Sequence, residues 1–186
     1  MSPVPVWSDR LIDDQLGIID VWVSGAGVRR IDFRSDPPAE RADELLAAGP
    51  VPDLLGATVT ALVEYLRGRR RAFDLPLDLG AVSPFQRRVY ERLLAIPFGT
   101  VVTYGEVARD VGGDASSTAR AVGQAVGANP IAIVVPCHRV VPADHRLGEF
   151  GGGPERKAAL LRLEGVDVDG AGPTARVRPD VLRLPL

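Results

Sequence analysis

The sequence predicts an α+β fold: a small mixed α/β N-terminal domain with a short antiparallel sheet, followed by a mainly helical C-terminal domain with a helix-turn-helix. Two strand-like apolar runs near the start, separated by a glycine-rich turn, predict the sheet. Later apolar residues recur at helical spacing behind capping residues, which predicts the helices. We place the domains at residues 1–80 and 81–170, and an irregular tail at residues 171–186.

The N-terminal domain is predicted to open with a hairpin. Residues 17–33 form two apolar runs around Ser24-Gly25-Ala26-Gly27, a sequence suited to a tight turn. Apolar residues at helical spacing predict helices over residues 40–48 and 54–67. Residues 73–80 alternate leucine and aspartate, which indicates a last strand or a crossover out of the domain.

Three helices are predicted next. Ser83 precedes a proline and is a good cap for a helix that ends at residues 97–99. Shorter helices follow near residues 104–110 and 117–126, and the glycines of residues 112–114 form the turn between them. Two short helices joined in this way are typical of a helix-turn-helix, although three helices packed without any nucleic acid partner fit the spacing too.

The next segment leads the chain to its single cysteine. Asn129-Pro130 ends the last of these helices, and the apolar residues 131–135 predict a buried strand or extended segment. This segment runs directly into Pro136-Cys137-His138-Arg139. A loop with four glycines at residues 148–153 and a final amphipathic helix at residues 154–164 complete the domain.

Composition excludes several classes of function. One cysteine and two histidines cannot form a disulfide or a four-ligand structural zinc site, so we expect no metal and no cofactor. The chain has no apolar run of bilayer length, and its first residues lack the order of a secretory signal, so we expect a cytoplasmic protein.

The two halves of the chain differ in charge. Residues 1–80 carry 9 basic and 13 acidic residues, whereas residues 81–186 carry 13 basic and 11 acidic residues. Any phosphate-binding surface is therefore expected in the second half.

Cys137 is a candidate nucleophile. A single buried cysteine is usually just a small apolar side chain. Cys137, however, follows Pro136 at the end of an apolar run and is flanked by His138 and Arg139, and both cations favour the reactive thiolate. His138 is expected to reach the sulfur through a turn or a bridging water, with a carboxylate on its other ring nitrogen.

The order of motifs resembles the O6-alkylguanine-DNA alkyltransferases, also called methylated-DNA-protein-cysteine methyltransferases. The resemblance covers residues 84–165 and is weaker upstream. It rests on these motifs: Phe85-Gln86, Ile96-Pro97-x-Gly99, Tyr104-Gly105, Arg120-Ala121-Val122-Gly123, Asn129-Pro130, Pro136-Cys137-His138-Arg139-Val140, the glycines at 151–153 and Leu160-Leu161-x-x-Glu164-Gly165.

The resemblance implies a chemistry and a set of roles. Cys137 would accept an alkyl group from O6 of guanine, or from O4 of thymine, once and irreversibly. His138 would act as its base through a water, and Glu164 would orient His138 as in a hydrolase triad. For Glu164, the sequence alone favours a solvated charge at a helix end.

The resemblance also implies minor-groove binding to double-stranded DNA by a monomer that flips the damaged nucleotide. Arg120 would fill the gap in the DNA, and Tyr104 would push the target phosphate. Small neighbours would let the helix approach the DNA; these are Ala119, Ala121 and Gly123. The pocket and its turn would be formed by Asn129, Val135, Pro136, Arg139, Phe150, Gly151 and Gly152, with Phe85 alongside.

One position departs from the family pattern. Phe150 stands where the family usually has a tyrosine whose hydroxyl donates to the departing guanine oxygen, so a slower or differently selective enzyme is expected unless an amide of Gly151 or Gly152 compensates. Three other functions remain open. A damage sensor of the alkyltransferase-like kind would lack the cysteine; a cysteine hydrolase would leave Arg120 without a role; and a transcription factor would not need Cys137.

Overall fold

The computed structural model describes residues 4–34, 44–46, 52–80, 82–112 and 115–178. The chain divides into two compact units, Met1–Ala81 and Val82–Leu186. Across the described residues, no helix has both the length and the apolar character needed to cross a bilayer.

The first unit is a four-stranded sheet with one helix. Its strands are β1 (Val4–Asp13), β2 (Gly17–Val23), β3 (Val28–Arg34) and β4 (Glu44–Leu46), in the order β3-β2-β1-β4. β1, β2 and β3 pair antiparallel, whereas β4 pairs parallel to β1. Helix α1 (Asp53–Leu66) packs on this sheet. The core of the unit consists of fully buried apolar side chains that include Ile19, Val21, Ile31, Leu62 and Tyr65.

The predicted hairpin is confirmed, and two other expectations need correction. The Ser24 amide donates to the Gly27 carbonyl at 2.9 Å and closes the turn between β2 and β3. Where a helix was expected over residues 40–48, the described residues 44–46 form strand β4, because pairing with the edge of β1 outweighs their local preference. Residues 73–80 contribute a single bridge, between Leu77 and Val28.

The second unit is mainly helical. Its elements are α2 (Pro84–Leu94), β5 (Val102–Thr103), α3 (Tyr104–Asp110), α4 (Ala115–Gly127), a 3-10 turn (Cys137–Arg139), β6 (Val140–Val141), α5 (Pro154–Leu163), β7 (Val168–Asp169), a second 3-10 turn (Gly172–Thr174) and β8 (Arg176–Val177). Ser83 caps α2 through a reciprocal pair of hydrogen bonds with Gln86, as its sequence predicts. Thr103 and Glu106 do the same for α3. Helices α3 and α4 pack together as the predicted helix-turn-helix pair; residues 113 and 114 of the turn lie outside the described residues.

Two predictions for this unit are wrong in part. Residues 131–135 are buried as expected, but they turn instead of extending, since Val135 donates to the Ile131 carbonyl at 3.0 Å and Ile133 has a φ of 70°. The tail is not irregular throughout: β8 pairs with β7, and Ala175 and Val177 are buried in an apolar cluster. The first part of the tail therefore packs in the core through its apolar side chains. Residues 179–186 lie outside the described residues.

Candidate active site

Cys137 lies on a turn that the preceding residues hold in place. The side-chain amide of Asn129 donates to the Val135 carbonyl at 2.8 Å, and its oxygen accepts from the Ile131 amide at 3.0 Å. Asn129 thereby links the end of α4 to the segment that carries the cysteine. Cys137 begins a 3-10 turn behind Pro136 and is 6% exposed, so the sulfur is almost fully enclosed.

His138 and Glu164 form a buried hydrogen-bonded pair. The Nε2 atom of His138 lies 2.9 Å from Oε1 of Glu164, and both side chains are inaccessible to solvent. A carboxylate can only accept hydrogen bonds, so Nε2 of His138 carries the proton. Nδ1 is then the basic nitrogen of the neutral ring. Burial lowers the pKa of His138 and outweighs the opposing effect of Glu164, which keeps the imidazole neutral and able to accept a proton.

Glu164 is held as a carboxylate by Arg139 and by the backbone. Arg139 donates from Nε to Oε2 at 2.9 Å and from Nη2 to Oε1 at 2.8 Å, and the Gly99 amide donates to Oε2 at 3.1 Å. Burial raises the pKa of Glu164, but its interactions with His138 and with the charged Arg139 together lower it to about 2. Gly99 has a φ of 75°, and a Cβ there would lie 2.9 Å from the Glu164 carbonyl, so this close approach requires glycine.

The role expected for Arg139 beside the thiol needs correction. Its guanidinium is committed to Glu164 and to the Ile96 carbonyl, which are the partners that the planar, bidentate group fits best. Burial raises the pKa of Cys137, and the opposing effects come from a hydrogen bond with Asn129 and from the charge of Lys157. Lys157 lies on α5, and its ammonium donates to the carbonyls of Val140 and Leu147.

The helix pair carries the residues that the sequence assigns to DNA contact. Tyr104 is the first residue of α3 and is half-buried; burial and the charge of Cys137 raise its pKa, so its hydroxyl stays neutral near the sulfur. Arg120 is exposed on α4, with Ala119 and Ala121 half-buried on either side. A Cβ at Gly123 would meet no atom within 4 Å, so this part of α4 is open.

The glycine loop lies between β6 and α5. Phe150 is half-buried, and its carbonyl accepts from the Gly153 amide at 2.8 Å, which closes a turn around Gly151 and Gly152. Gly151 is exposed and Gly152 is buried. Of the other predicted pocket residues, Val135 is fully buried, and Phe85 is half-buried on α2.

The structure places Cys137 next in the chain to the buried pair of His138 and Glu164, and Asn129 holds the segment that leads to the cysteine through hydrogen bonds with Ile131 and Val135. It places Arg120 on the exposed face of α4. The sequence reading missed Lys157, whose signal was a lone lysine on the otherwise apolar face of α5. Within the described part of the chain, no group of three or more histidine, cysteine, aspartate or glutamate side chains is arranged to hold a metal ion.

The fold and the site define an enzyme class in which a buried nucleophilic cysteine, backed by a histidine and a carboxylate, lies in the same unit as a helix-turn-helix. Two family models match the chain: the DNA-binding domain of 6-O-methylguanine DNA methyltransferase at residues 84–166, and its ribonuclease-like domain at residues 9–79. The chain belongs to the methylated-DNA-protein-cysteine methyltransferase family, as the sequence motifs predict.

Individual relatives agree with this assignment. A Mycobacterium tuberculosis methylated-DNA-protein-cysteine methyltransferase is 49% identical over 115 residues, which is 62% of this chain and 68% of that protein. A Thermus thermophilus DNA base-flipping protein is 40% identical over 151 residues, 81% of this chain and 95% of the relative. The crystal structure of the Mycobacterium tuberculosis O6-methylguanine methyltransferase has a TM-score of 0.73 and 37% identity, and covers 86% of this chain and 92% of its own. A structure of the Mycobacterium tuberculosis protein in complex with DNA gives the same TM-score and identity, over 84% and 91%.

Proposed function

We propose that the protein repairs DNA by transferring an alkyl group from O6 of guanine to the sulfur of Cys137. One observation carries the proposal: Cys137 is next to a buried His138 whose Nε2 is 2.9 Å from a Glu164 that stays ionised. This arrangement leaves the histidine neutral and oriented as a base. A cysteine that only packs in the core does not require a histidine–carboxylate pair beside it.

In the proposed reaction, Cys137 gives its proton to Nδ1 of His138 through a water, and the thiolate attacks the alkyl carbon. A carbon–sulfur bond forms as the bond from that carbon to guanine O6 breaks, and the electron pair passes to guanine, which takes up a proton. Glu164 orients His138 and stabilises its cationic form. The thioether has no route back to a thiol, so each molecule acts once and no cofactor is needed.

Access to the sulfur requires the damaged nucleotide to leave the duplex. A thiol that is 6% exposed cannot reach a stacked base, and flipping costs a few kcal/mol. We propose that α4 lies in the minor groove, that Arg120 fills the gap, and that Tyr104 helps to rotate the nucleotide. The half-buried alanines beside Arg120 and the open surface at Gly123 support a close approach of this helix.

The compartment and the oligomeric state belong to the same proposal. A free reactive thiol needs a reducing environment, so we place the protein in the cytoplasm. We propose that it acts as a monomer on DNA, because the cysteine, its base and the helix pair all come from one unit of one chain.

Intact mass spectrometry tests the reaction. The protein is mixed with excess duplex DNA that carries one O6-methylguanine, with Cys137→Ser as the matched control. We expect the wild type to gain the mass of one methylene group, localised to Cys137, and the control to gain none. Tight, damage-selective binding without any mass gain would instead make the protein a sensor, and repeated turnover without DNA would make it a hydrolase.

Phe150 gives a further prediction for the pocket. Phe150→Tyr restores a hydroxyl donor toward the departing oxygen and should raise the transfer rate, by up to about 10²-fold if no backbone amide already stabilises that charge. Single-turnover kinetics on methylated DNA measure the change. An unchanged rate would mean that the amide of Gly151 or Gly152 already supplies the donor, and that Phe150 does not limit the enzyme.

A further inference from the structure

Four arginines lie within five residues at the end of α1. Residues 67–71 read Arg-Gly-Arg-Arg-Arg and follow the helix directly; we refer to them as the arginine turn. They hold four of the 9 basic residues of residues 1–80, so the rest of that region carries 5 basic and 13 acidic residues. A strongly positive turn therefore lies in a unit whose net charge is negative, which a count over the whole region conceals.

The backbone of the arginine turn is fixed by hydrogen bonds to α1. The Gly68 amide donates to the Tyr65 carbonyl at 2.9 Å, and the Arg69 amide donates to the Glu64 carbonyl at 2.8 Å. Gly68 has a φ of 68°, so these two bonds form the helix ending in which a glycine takes the left-handed conformation. Beyond the turn, the ring centroid of Phe73 lies 5.3 Å from that of Tyr65. Both ends of the arginine turn are therefore attached to the helix, and a ligand would not have to order the backbone.

The fold uses one of the four arginine side chains. Arg70 donates from Nε to Oε2 of Glu64 at 2.9 Å. Arg67, Arg69 and Arg71 are exposed, and within the described residues no hydrogen bond or ion pair is found for the side chains of Arg67 and Arg69. The negative end of a helix favours a positive charge, but this effect falls off within the last turn. It accounts for Arg67, which caps α1, and not for Arg69 and Arg71.

Phosphates of a nucleic acid backbone are the ligands that the arginine turn fits. A guanidinium can donate two parallel hydrogen bonds to one phosphate, so three exposed ones on a short turn suit a polymer of phosphates. A DNA duplex carries one negative charge for about every 1.7 Å of its axis. The second unit matches a DNA-binding family model, so DNA is the polyanion that this chain meets. Without the arginine turn, the acidic first unit would only be repelled by DNA.

We propose that the arginine turn is a second DNA contact, which binds phosphates of the duplex backbone without reading the sequence. The proposal rests on the proposed function for the choice of DNA, and it adds the first unit to the DNA-binding surface. A phosphate contact carries no information about the base, so it holds undamaged and damaged duplex equally. The arginine turn would therefore raise the affinity for any duplex and leave the preference for alkylated guanine to the second unit.

The salt dependence of binding tests the phosphate contacts. The affinity of the full chain for a short undamaged duplex is measured against salt concentration, for the wild type and for the triple variant Arg67→Gln/Arg69→Gln/Arg71→Gln. Each phosphate contact adds about 0.9 to the slope of log K against log salt, so we expect the slope of the triple variant to be shallower by about 2–3. Its affinity at low salt should be lower by about tenfold or more. The ratio of the affinities for methylated and undamaged duplex should not change.

Two control variants separate the site from the net charge. Lysine at the same three positions keeps the positive charges, so its slope should stay close to that of the wild type. Ser8→Glu/Gln15→Glu/Ala26→Glu changes the charge of the first unit by the same amount at exposed positions outside the arginine turn, and its slope should also stay. An unchanged slope in the glutamine variant, or an equal change in the glutamate control, would overturn the proposal.

Other results would identify a different ligand or a different activity. If the glutamine variant lost binding to vesicles of anionic phospholipid and kept its duplex binding, the arginine turn would be a membrane contact and the DNA contact would be overturned. A wild type that binds undamaged duplex but gains no methyl group would overturn the proposed transfer reaction alone. The slopes would still decide the role of the arginine turn.

A second test uses the wild type and does not depend on the folding of a variant. Phenylglyoxal modifies exposed guanidinium groups, and mass spectrometry of the digested protein measures each site with and without excess duplex. Arg67, Arg69 and Arg71 should lose most of their modification when DNA is bound. Arg10, whose side chain is 41% exposed and paired with Asp20 on the sheet, is the reference and should react equally in both samples. Equal modification of the arginine turn with and without DNA would overturn the proposal.

Discussion

Among the described residues, each unit of the molecule buries one carboxylate in contact with arginines, and the two clusters serve different ends. In the first unit, Asp20 accepts from Arg10 at 2.6 Å and from Arg34 at 2.9 Å. In the second, Glu164 accepts from Arg139 at 2.8 Å and also pairs with His138. The two carboxylates are alike in burial and in the type of their partners.

They differ in what surrounds the partners. The Arg10 side chain is 41% exposed, so water screens its attraction to Asp20. Arg139 is enclosed, and the His138 side chain has no solvent access, so each charge there depends on the others. Ion pairs between a carboxylate and arginine therefore connect three neighbouring strands, β1, β2 and β3, in one unit and keep a carboxylate ionised beside the cysteine turn in the other. Whether the arginine partner is exposed or buried decides which of these two effects a cluster has.

Glu164→Gln should have the largest effect. It leaves Arg139 buried without a counter-charge, and it replaces one of the two acceptor oxygens by an NH2 group, so one oxygen must serve both His138 and Arg139. We expect a loss of about 3–5 kcal/mol in the free energy of unfolding and a transfer rate that is lower by about 10²-fold or more. Denaturant melts and single-turnover kinetics measure the two effects. Glu155→Gln, at an exposed position of α5, is the matched control and should change neither.

Lowering the pH should also reveal how much the ionised Glu164 contributes to stability. The pKa of Glu164 falls from 4.5 to about 2 on folding, so its contribution is complete above pH 4.5 and is lost as the pH falls toward 2. A shift of this size corresponds to about 3 kcal/mol. The free energy of unfolding, followed from pH 6 to 2, should fall more steeply for the wild type than for Glu164→Gln. Parallel curves would mean that Arg139 and His138 do not hold the carboxylate as an anion.

Asp20→Asn should have a smaller effect, confined to stability. Its arginine partners keep access to water, so we expect a loss of about 1 kcal/mol in the free energy of unfolding. The transfer rate on methylated DNA should be unchanged. If this variant lost as much stability as Glu164→Gln, the exposure of the arginine partners would not be what separates the two clusters.

The sequence predicted the parts of the fold that local signals determine. Capping residues such as Ser83 and the glycine-rich turn after β2 mark their elements directly. Strand β4 was predicted as a helix because a strand of three residues is too short to show an alternating pattern in the sequence. It forms because it pairs with β1. The turn at residues 131–135 was predicted as extended because an apolar run records burial and not backbone shape.

For the site, the sequence motifs led to the hydrogen bond between His138 and Glu164, which the resemblance implies. The catalytic roles of Cys137, His138 and Glu164 stay predictions. The partner of Arg139 could not be read from its position beside the cysteine, since adjacent side chains point in different directions and a carboxylate 25 residues away competes for the guanidinium. Lys157 could have been noticed as a lone lysine on an apolar helix face, but its contacts could not be predicted, because backbone carbonyls have no sequence signature.

The burial of Lys157 has a practical consequence for handling the protein. Acetylation, crosslinking and the attachment of protein tags commonly target side-chain amines, and here the one lysine side chain is 1% exposed. The folded protein therefore offers such reagents no accessible side-chain amine, and the residue becomes reactive only when α5 opens. Modification of Lys157 by an amine-reactive ester would report that opening directly, so the chain carries a built-in probe of whether a used molecule still keeps its fold.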